Sequence, residues 1–127
     1  FSGANLTNCN LKKSNLSKAT FENVNLNHAL LIDCDLSHVE FVNCNLSHVD
    51  LTRIKADFLK IDEKTTTHKV VIDEKTFNSL SEEIKDILIR DNPRFSLPYF
   101  SDIWYVGIDK LGVKTGLKPQ KITINEP

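Results

Sequence analysis

The sequence predicts a mainly β fold, in which a solenoid of very short strands is followed by a small segment that contains a helix. Two patterns predict it. Apolar residues recur at every fifth position through residue 51, and apolar residues with helical spacing begin at residue 80. The length of 127 residues, 40% of them hydrophobic, suits one small domain or two very small ones.

The first half of the chain is an internal repeat with a period of five residues. Two places before each large apolar residue stands a small or medium one, such as Ala4 or Cys9, and the residue between them is mostly Asn or Asp. A three-residue strand that points in, out and in, followed by a two-residue corner, satisfies this pattern. The large apolar position holds Leu6, Leu11, Leu16, Phe21, Leu26, Leu31, Leu36, Phe41, Leu46 and Leu51.

These units resemble those of a known family. Units such as Ala4-Asn5-Leu6-Thr7-Asn8 and Cys44-Asn45-Leu46-Ser47-His48 are similar to the A-[DN]-L-x-x motif of pentapeptide-repeat proteins, over residues 1 to about 58. The resemblance implies a right-handed quadrilateral β-helix with four units, hence 20 residues, in each coil. The spacing of Phe1, Phe21 and Phe41 supports that number independently, and we expect their rings to stack in one internal column.

The repeat weakens at Ile54, and Ala56-Asp57-Phe58-Leu59-Lys60 resembles a further unit placed after two extra residues. We therefore expect just under three coils in residues 1–56 and divide the chain into a β-helix, 1–60, and a C-terminal part, 61–127. The chain contains no Met and opens inside a repeat, so we expect it to be a fragment of a longer protein with further repeats before Phe1. The family resemblance implies that this parent protein is bacterial.

The C-terminal part is predicted to be a linker followed by a capping segment with helix and strand. Residues 61–69 are polar and suggest the linker, and 69–72 suggest a short strand. Ser79-Leu80-Ser81-Glu82 fits a capping box, and the helix that follows should stop near Asp91, before Asn92-Pro93. We expect this helix to cover the open end of the last coil. A further strand is expected at 121–124, and residues 61–127 resemble no family.

The residues that could carry chemistry favour structural roles. His28, His38 and His48 occupy solvent-facing corners, where the first and last could stack but lack a carboxylate or thiolate for a zinc site. Cys9, Cys34 and Cys44 take the small inward position on different faces, so we expect buried, inert thiols. We expect no catalytic residue, no metal and no cofactor, since no phosphate-binding, metalloprotease or hydrolase motif occurs.

Two apolar features suggest a binding surface. Leu30 and Ile32 flank the inward-pointing Leu31, so both side chains should face outward. Such an apolar pair is either a contact patch for a partner or, as we favour, a site that the C-terminal segment covers. Tyr99, Trp104 and Tyr105 belong to an aromatic cluster that suits a subdomain core better than an interface, although an interface remains the alternative.

The leading functional hypothesis is a non-catalytic protein–protein interaction scaffold. The resemblance also allows the substrate-binding β-helix of a HECT-like bacterial effector ubiquitin ligase, an enzyme fragment whose site lies elsewhere, or a DNA mimic that binds gyrase. Five basic and five acidic residues balance in residues 1–56, which disfavours the DNA mimic. With a net charge of -1 and no long apolar run, we expect a protein partner, no nucleic acid and no membrane. We place the protein in the cytoplasm, or in a host cell if it is an effector.

Overall fold

The computed structural model describes residues 1–96, which form a β-helix solenoid followed by two α-helices and a short 3-10 helix. Three strands pair in parallel in the order β1 (Thr20–Glu22), β2 (Glu40–Val42) and β3 (Lys60–Ile61). The pairs are 20 residues apart, as in Phe21↔Phe41. Isolated bridges with the same spacing, such as Asn5↔Asn25 and Asn15↔Asp35, join the other sides of the coils.

The predicted stacking of the three aromatic rings is confirmed, but Phe1 is 62% exposed and only Phe21 and Phe41 are internal. The ring centroids of Phe1 and Phe21 are 4.9 Å apart and those of Phe21 and Phe41 are 5.0 Å apart, with nearly parallel planes. Phe21 and Phe41 are each 1% exposed. The inward positions of the second and third coils form one continuous core, because each side chain packs between its equivalents in the coils before and after it.

Through Phe58, and again at Lys69, the corner is a four-residue turn whose third residue has a positive φ. Leu6 O, for example, accepts a hydrogen bond from Cys9 N at 3.1 Å, and Asn8 between them has a φ of 63°. This is the backbone that a type II turn requires, and Asn, Asp and His tolerate it better than most residues. The positive-φ residues are Gly3, Asn8, Lys13, Lys18, Asn23, His28, Asp33, His38, Asn43, His48, Arg53, Phe58 and Lys69.

The outward amide or acid of each unit stabilises the following corner. Asn5 Oδ1 accepts a hydrogen bond from Thr7 N at 3.1 Å, and Asn25 Oδ1 accepts one from Asn27 N at 2.9 Å. Asp35 and Asp50 make the same contact with the backbone two residues on. The preference for Asn and Asp at this position therefore has a local cause, an Asx turn.

The five-residue register is unbroken through Phe58, so the prediction of two extra residues before Ala56 is wrong. Phe58 takes a corner, where it is 75% exposed, while Leu59 fills the small inward position at 6% exposure. Phe58 stacks on His38, with ring centroids 4.9 Å apart. The repeat looked degraded because a large apolar residue stands at a solvent-facing corner.

Replacing His38 by Ala should have little effect on stability. The change removes an exposed ring stack and no buried group, so we expect a loss of less than about 1.5 kcal/mol in urea unfolding. A larger loss would contradict the placement of His38 at a solvent-facing corner. Phe58→Ser, which removes the other ring of the same stack, is the matched comparison and should have an effect of similar size.

The prediction of a linker over residues 61–69 is also wrong, because the coil continues to Val71. Asn45↔Thr66 and Asp50↔Val71 pair in parallel with a spacing of 21 rather than 20. One extra residue between Ile61 and Thr65 causes the shift. The inward positions are then filled by Thr65 and Thr67, both fully buried, so the apolar signal of the repeat disappears.

Two helices follow, α1 (Glu74–Ser79) and α2 (Glu82–Asp91), and then a 3-10 helix, Pro93–Ser96. The sequence missed α1, whose N-cap is Asp73. The prediction that α2 ends near Asp91 is confirmed, but its N-cap is Ser81 rather than Ser79: Ser81 Oγ accepts a hydrogen bond from Ile84 N. Phe77, Leu80, Ile84 and Leu88 join the core cluster of the solenoid.

Candidate interaction surface

The predicted surface residues Leu30 and Ile32 lie on the solenoid wall. Leu30 bridges Asn10 on one side and Asp50 on the other, and Ile32 O accepts a hydrogen bond from Lys13 N at 2.9 Å. Both side chains are half-buried and stand outside the core cluster. Tyr99, Trp104 and Tyr105, like the strand predicted at 121–124, lie outside the described residues.

Side chains from α2 and its C-terminus hold the edge of the last coil. Thr67 N donates to Asp91 Oδ2 at 2.8 Å, and Lys69 N donates to Asn92 Oδ1 at 2.8 Å. The equivalent groups one coil earlier, Leu46 N and His48 N, donate to backbone carbonyls of the next coil. Asp91 and Asn92 therefore supply the acceptors that a further coil would supply.

Two more aspartates act in the same way. Asp62 Oδ1 accepts from Asn43 N at 3.0 Å where the extra residue interrupts the coil, and Asp73 Oδ1 accepts from Arg53 N at 2.9 Å. Arg90 adds bonds to the carbonyls of Glu63 and Thr65, at 2.6 and 2.8 Å. The end of the solenoid is thus closed by charged and amide side chains that satisfy its backbone.

Asp91 should make the free energy of unfolding depend on pH in the acidic range. Its side chain is 7% exposed, and hydrogen bonds from Arg90 and Thr67 lower its pKa to about 2, against burial, which acts to raise it. A lowered folded-state pKa stabilises the fold above the unfolded value near 4, and this contribution is lost as pH falls towards the folded value.

We expect Asp91→Ala to cost about 1–2 kcal/mol at neutral pH and to flatten the stability profile between about pH 4 and pH 2. Urea unfolding at several pH values measures both effects. Asp57→Ala, which removes the same charge from an exposed position in the third coil, is the control. An Asp91→Ala profile as steep as that of the native chain over this range would contradict the assignment.

The histidines form part of a corner column. His28 and His48 stack with ring centroids 4.3 Å apart and an interplanar angle of 11°, whereas His38 stacks on Phe58 elsewhere. Lys69 takes the equivalent corner of the last coil. Burial, followed by the charges of His28 and Lys69, lowers the pKa of His48. In residues 1–96, no group of three or more His, Cys, Asp or Glu side chains is arranged to hold a metal ion.

The cysteines occupy inward positions. Cys34 and Cys44 are buried and Cys9 is half-buried. The Sγ atoms of Cys34 and Cys44 donate to the carbonyls of Leu11 and Phe21, at 2.8 and 3.1 Å. Burial raises the pKa of both thiols, which disfavours the reactive thiolate.

A comparison with protein families places this fold. The family described as "Pentapeptide repeat region" matches residues 1–77, which is more than half of the chain. The chain therefore belongs to the pentapeptide-repeat family, and the match extends past residue 58 to cover the last coil and the first part of α1. A comparison with individual curated proteins gives no match. Within residues 1–96, neither helix has the length and apolar character required to cross a bilayer.

Proposed function

We propose that the chain is a non-catalytic scaffold that binds another protein through the wall of its solenoid. The observation that carries the proposal is the pair Leu30 and Ile32, which is half-exposed and separate from the core on a wall of stacked coils. A coil held on both sides by backbone hydrogen bonds presents such a pair with little loss of conformational entropy on binding. Membership in a repeat family supports the proposal.

We propose further that the solenoid has the right-handed, four-sided form that the family resemblance implies. Four pairing places in each 20-residue coil support four sides. Ion pairs join adjacent coils at a corner, as in Arg53–Asp33, and on a strand face, as in Lys60–Glu40. A surface of mixed charge suits a protein partner better than the uniformly acidic surface that would imitate DNA.

The test is capture of a partner from cells that contain the protein, followed by titration of the purified pair. Ile32→Asp should weaken this complex by at least about tenfold, because it places a charge in an apolar contact. Asn15→Asp, an exposed position of the first coil, is the control. A saturable complex that Ile32→Asp weakens supports the proposal. No saturable complex, or equal affinity for both variants, contradicts it.

A further inference from the structure

A groove of about 660 Å³ lies between the His28–His48 corner column and the turn after α2. We call it the basic groove. Its ionisable side chains are those of His28, His48, Lys69, Arg94 and Asp91. The rest of its lining is Val70, Val71, Asn92, Pro93 and Phe95.

The basic side chains of this groove have no carboxylate partner in the part of the chain that the structure describes. Among residues 1–96, no side chain forms an ion pair or hydrogen bond with Lys69 Nζ or with the Arg94 guanidinium. Asp91 is the acidic residue of the lining, and its carboxylate is engaged by Arg90 and by both Thr67 N and Thr67 Oγ1. Two permanent cations therefore face the groove without a carboxylate partner among the described residues.

The stacked imidazoles add a charge that depends on pH. His48 lies between His28 and Lys69 along the column, and His68 stands beside it, with its Nε2 atom 4.0 Å from Asp91 Oδ1. Protonating two rings 4.3 Å apart beside a lysine is unfavourable unless an anion offsets the repulsion. An anion in the groove would accordingly favour the protonated rings, and the rings would favour the anion.

We propose that the basic groove binds an acidic peptide segment of the protein partner, with Lys69 and Arg94 holding its carboxylates and the histidines strengthening binding in mild acid. This inference rests on the proposed scaffold function and names the chemistry of the partner at a second site. Val71, which is half-buried, offers apolar contact beside the charges, which suits a peptide whose Asp or Glu residues alternate with apolar ones.

The probe is a fluorescently labelled hexaglutamate peptide, titrated against the full chain at low ionic strength and followed by anisotropy. We expect saturable binding that strengthens about threefold to tenfold between pH 7.5 and pH 5.5, as the imidazoles gain charge. The double variant Lys69→Glu/Arg94→Glu should bind at least about tenfold more weakly. Lys12→Glu/Lys18→Glu changes the net charge equally, on the first coil, and should bind within about twofold of the native chain.

A second pair of variants tests the histidines. His28→Gln/His48→Gln keeps His38 and His68 and should lose most of the pH dependence while retaining binding at pH 7.5. The proposal is overturned if hexaglutamate does not bind, or if the two charge-reversed variants bind alike. It is also overturned if the pH dependence survives in His28→Gln/His48→Gln. If hexaglutamate does not bind, but the protein partner binds and Ile32→Asp weakens that complex, the groove proposal is overturned and the scaffold function stands.

Discussion

Leu36→Asp is expected to unfold the protein or to cost at least about 4 kcal/mol of stability. Leu36 is 0% exposed and takes the large inward position between Leu16 and Ala56 of the neighbouring coils. The core cluster of the described residues is made of hydrophobic side chains, so a carboxylate at this position would be buried without a cation. Since small domains are stable by only about 5–15 kcal/mol, this loss is a large part of the total.

Urea unfolding followed by circular dichroism measures the effect. Asn25→Asp introduces the same carboxylate at an exposed outward position, where Asp can still accept the hydrogen bond from Asn27 N. We expect that control to change stability by less than about 0.5 kcal/mol. Comparable losses in the two variants would contradict the inward placement of Leu36.

Ending the chain at Ile72 is expected to abolish cooperative folding or to produce aggregates. The truncation removes α1 and α2 and therefore uncovers Val70 and Ile72, which are 3% and 0% exposed in the intact protein. It also leaves Thr67 N and Lys69 N without the acceptors that Asp91 and Asn92 provide. An open edge of this kind pairs readily with other chains.

A chain that ends at Ser96 is the matched control, because it keeps both helices and all contacts of Asp91 and Asn92 described above. We expect it to retain one cooperative thermal transition and to elute as a single species in size-exclusion chromatography. If the chain ending at Ile72 is equally monodisperse and melts at the same temperature, the helices do not cap the solenoid.

The sequence was sufficient to predict the solenoid, its 20-residue spacing and the stacked rings, because each rests on a residue type repeated at a fixed interval. Phe21 and Phe41 show this most clearly. The stacking of His28 on His48 followed from the same spacing. A periodic fold repeats its signal many times, so that one exceptional residue does not hide it.

The last coil could not be predicted in this way because its physics differs from that of the repeat. Thr65 and Thr67 replace apolar residues at inward positions, and their hydroxyls are satisfied by Asp62 and Asp91. One extra residue also moves the register from 20 to 21. At Phe58 the error is the reverse, because a large apolar residue suggested an inward position, whereas the side chain stands at an exposed corner.

The basic groove was missed for a different reason. His48 and Lys69 become neighbours through the shifted register, and Arg94 lines the same groove because α2 is held against the last coil. The signal available in the sequence was the recurrence of histidine at corners ten residues apart, which indicated solvent exposure alone. The nearby cations could not be added without knowing where the C-terminal helix packs.

The measurement that tests this account most directly is the pattern of nuclear Overhauser effects between backbone protons of neighbouring coils. We predict cross-coil contacts between residues 20 apart up to Ile61, as in Asn25↔Asn45, and 21 apart beyond it, as in Asn45↔Thr66. We also predict contacts between Thr67 HN and the side chain of Asp91. A pairing register other than 20 up to Ile61 and 21 beyond it, or no contact between Thr67 and α2, would contradict a solenoid that continues to Val71 and is closed by α2.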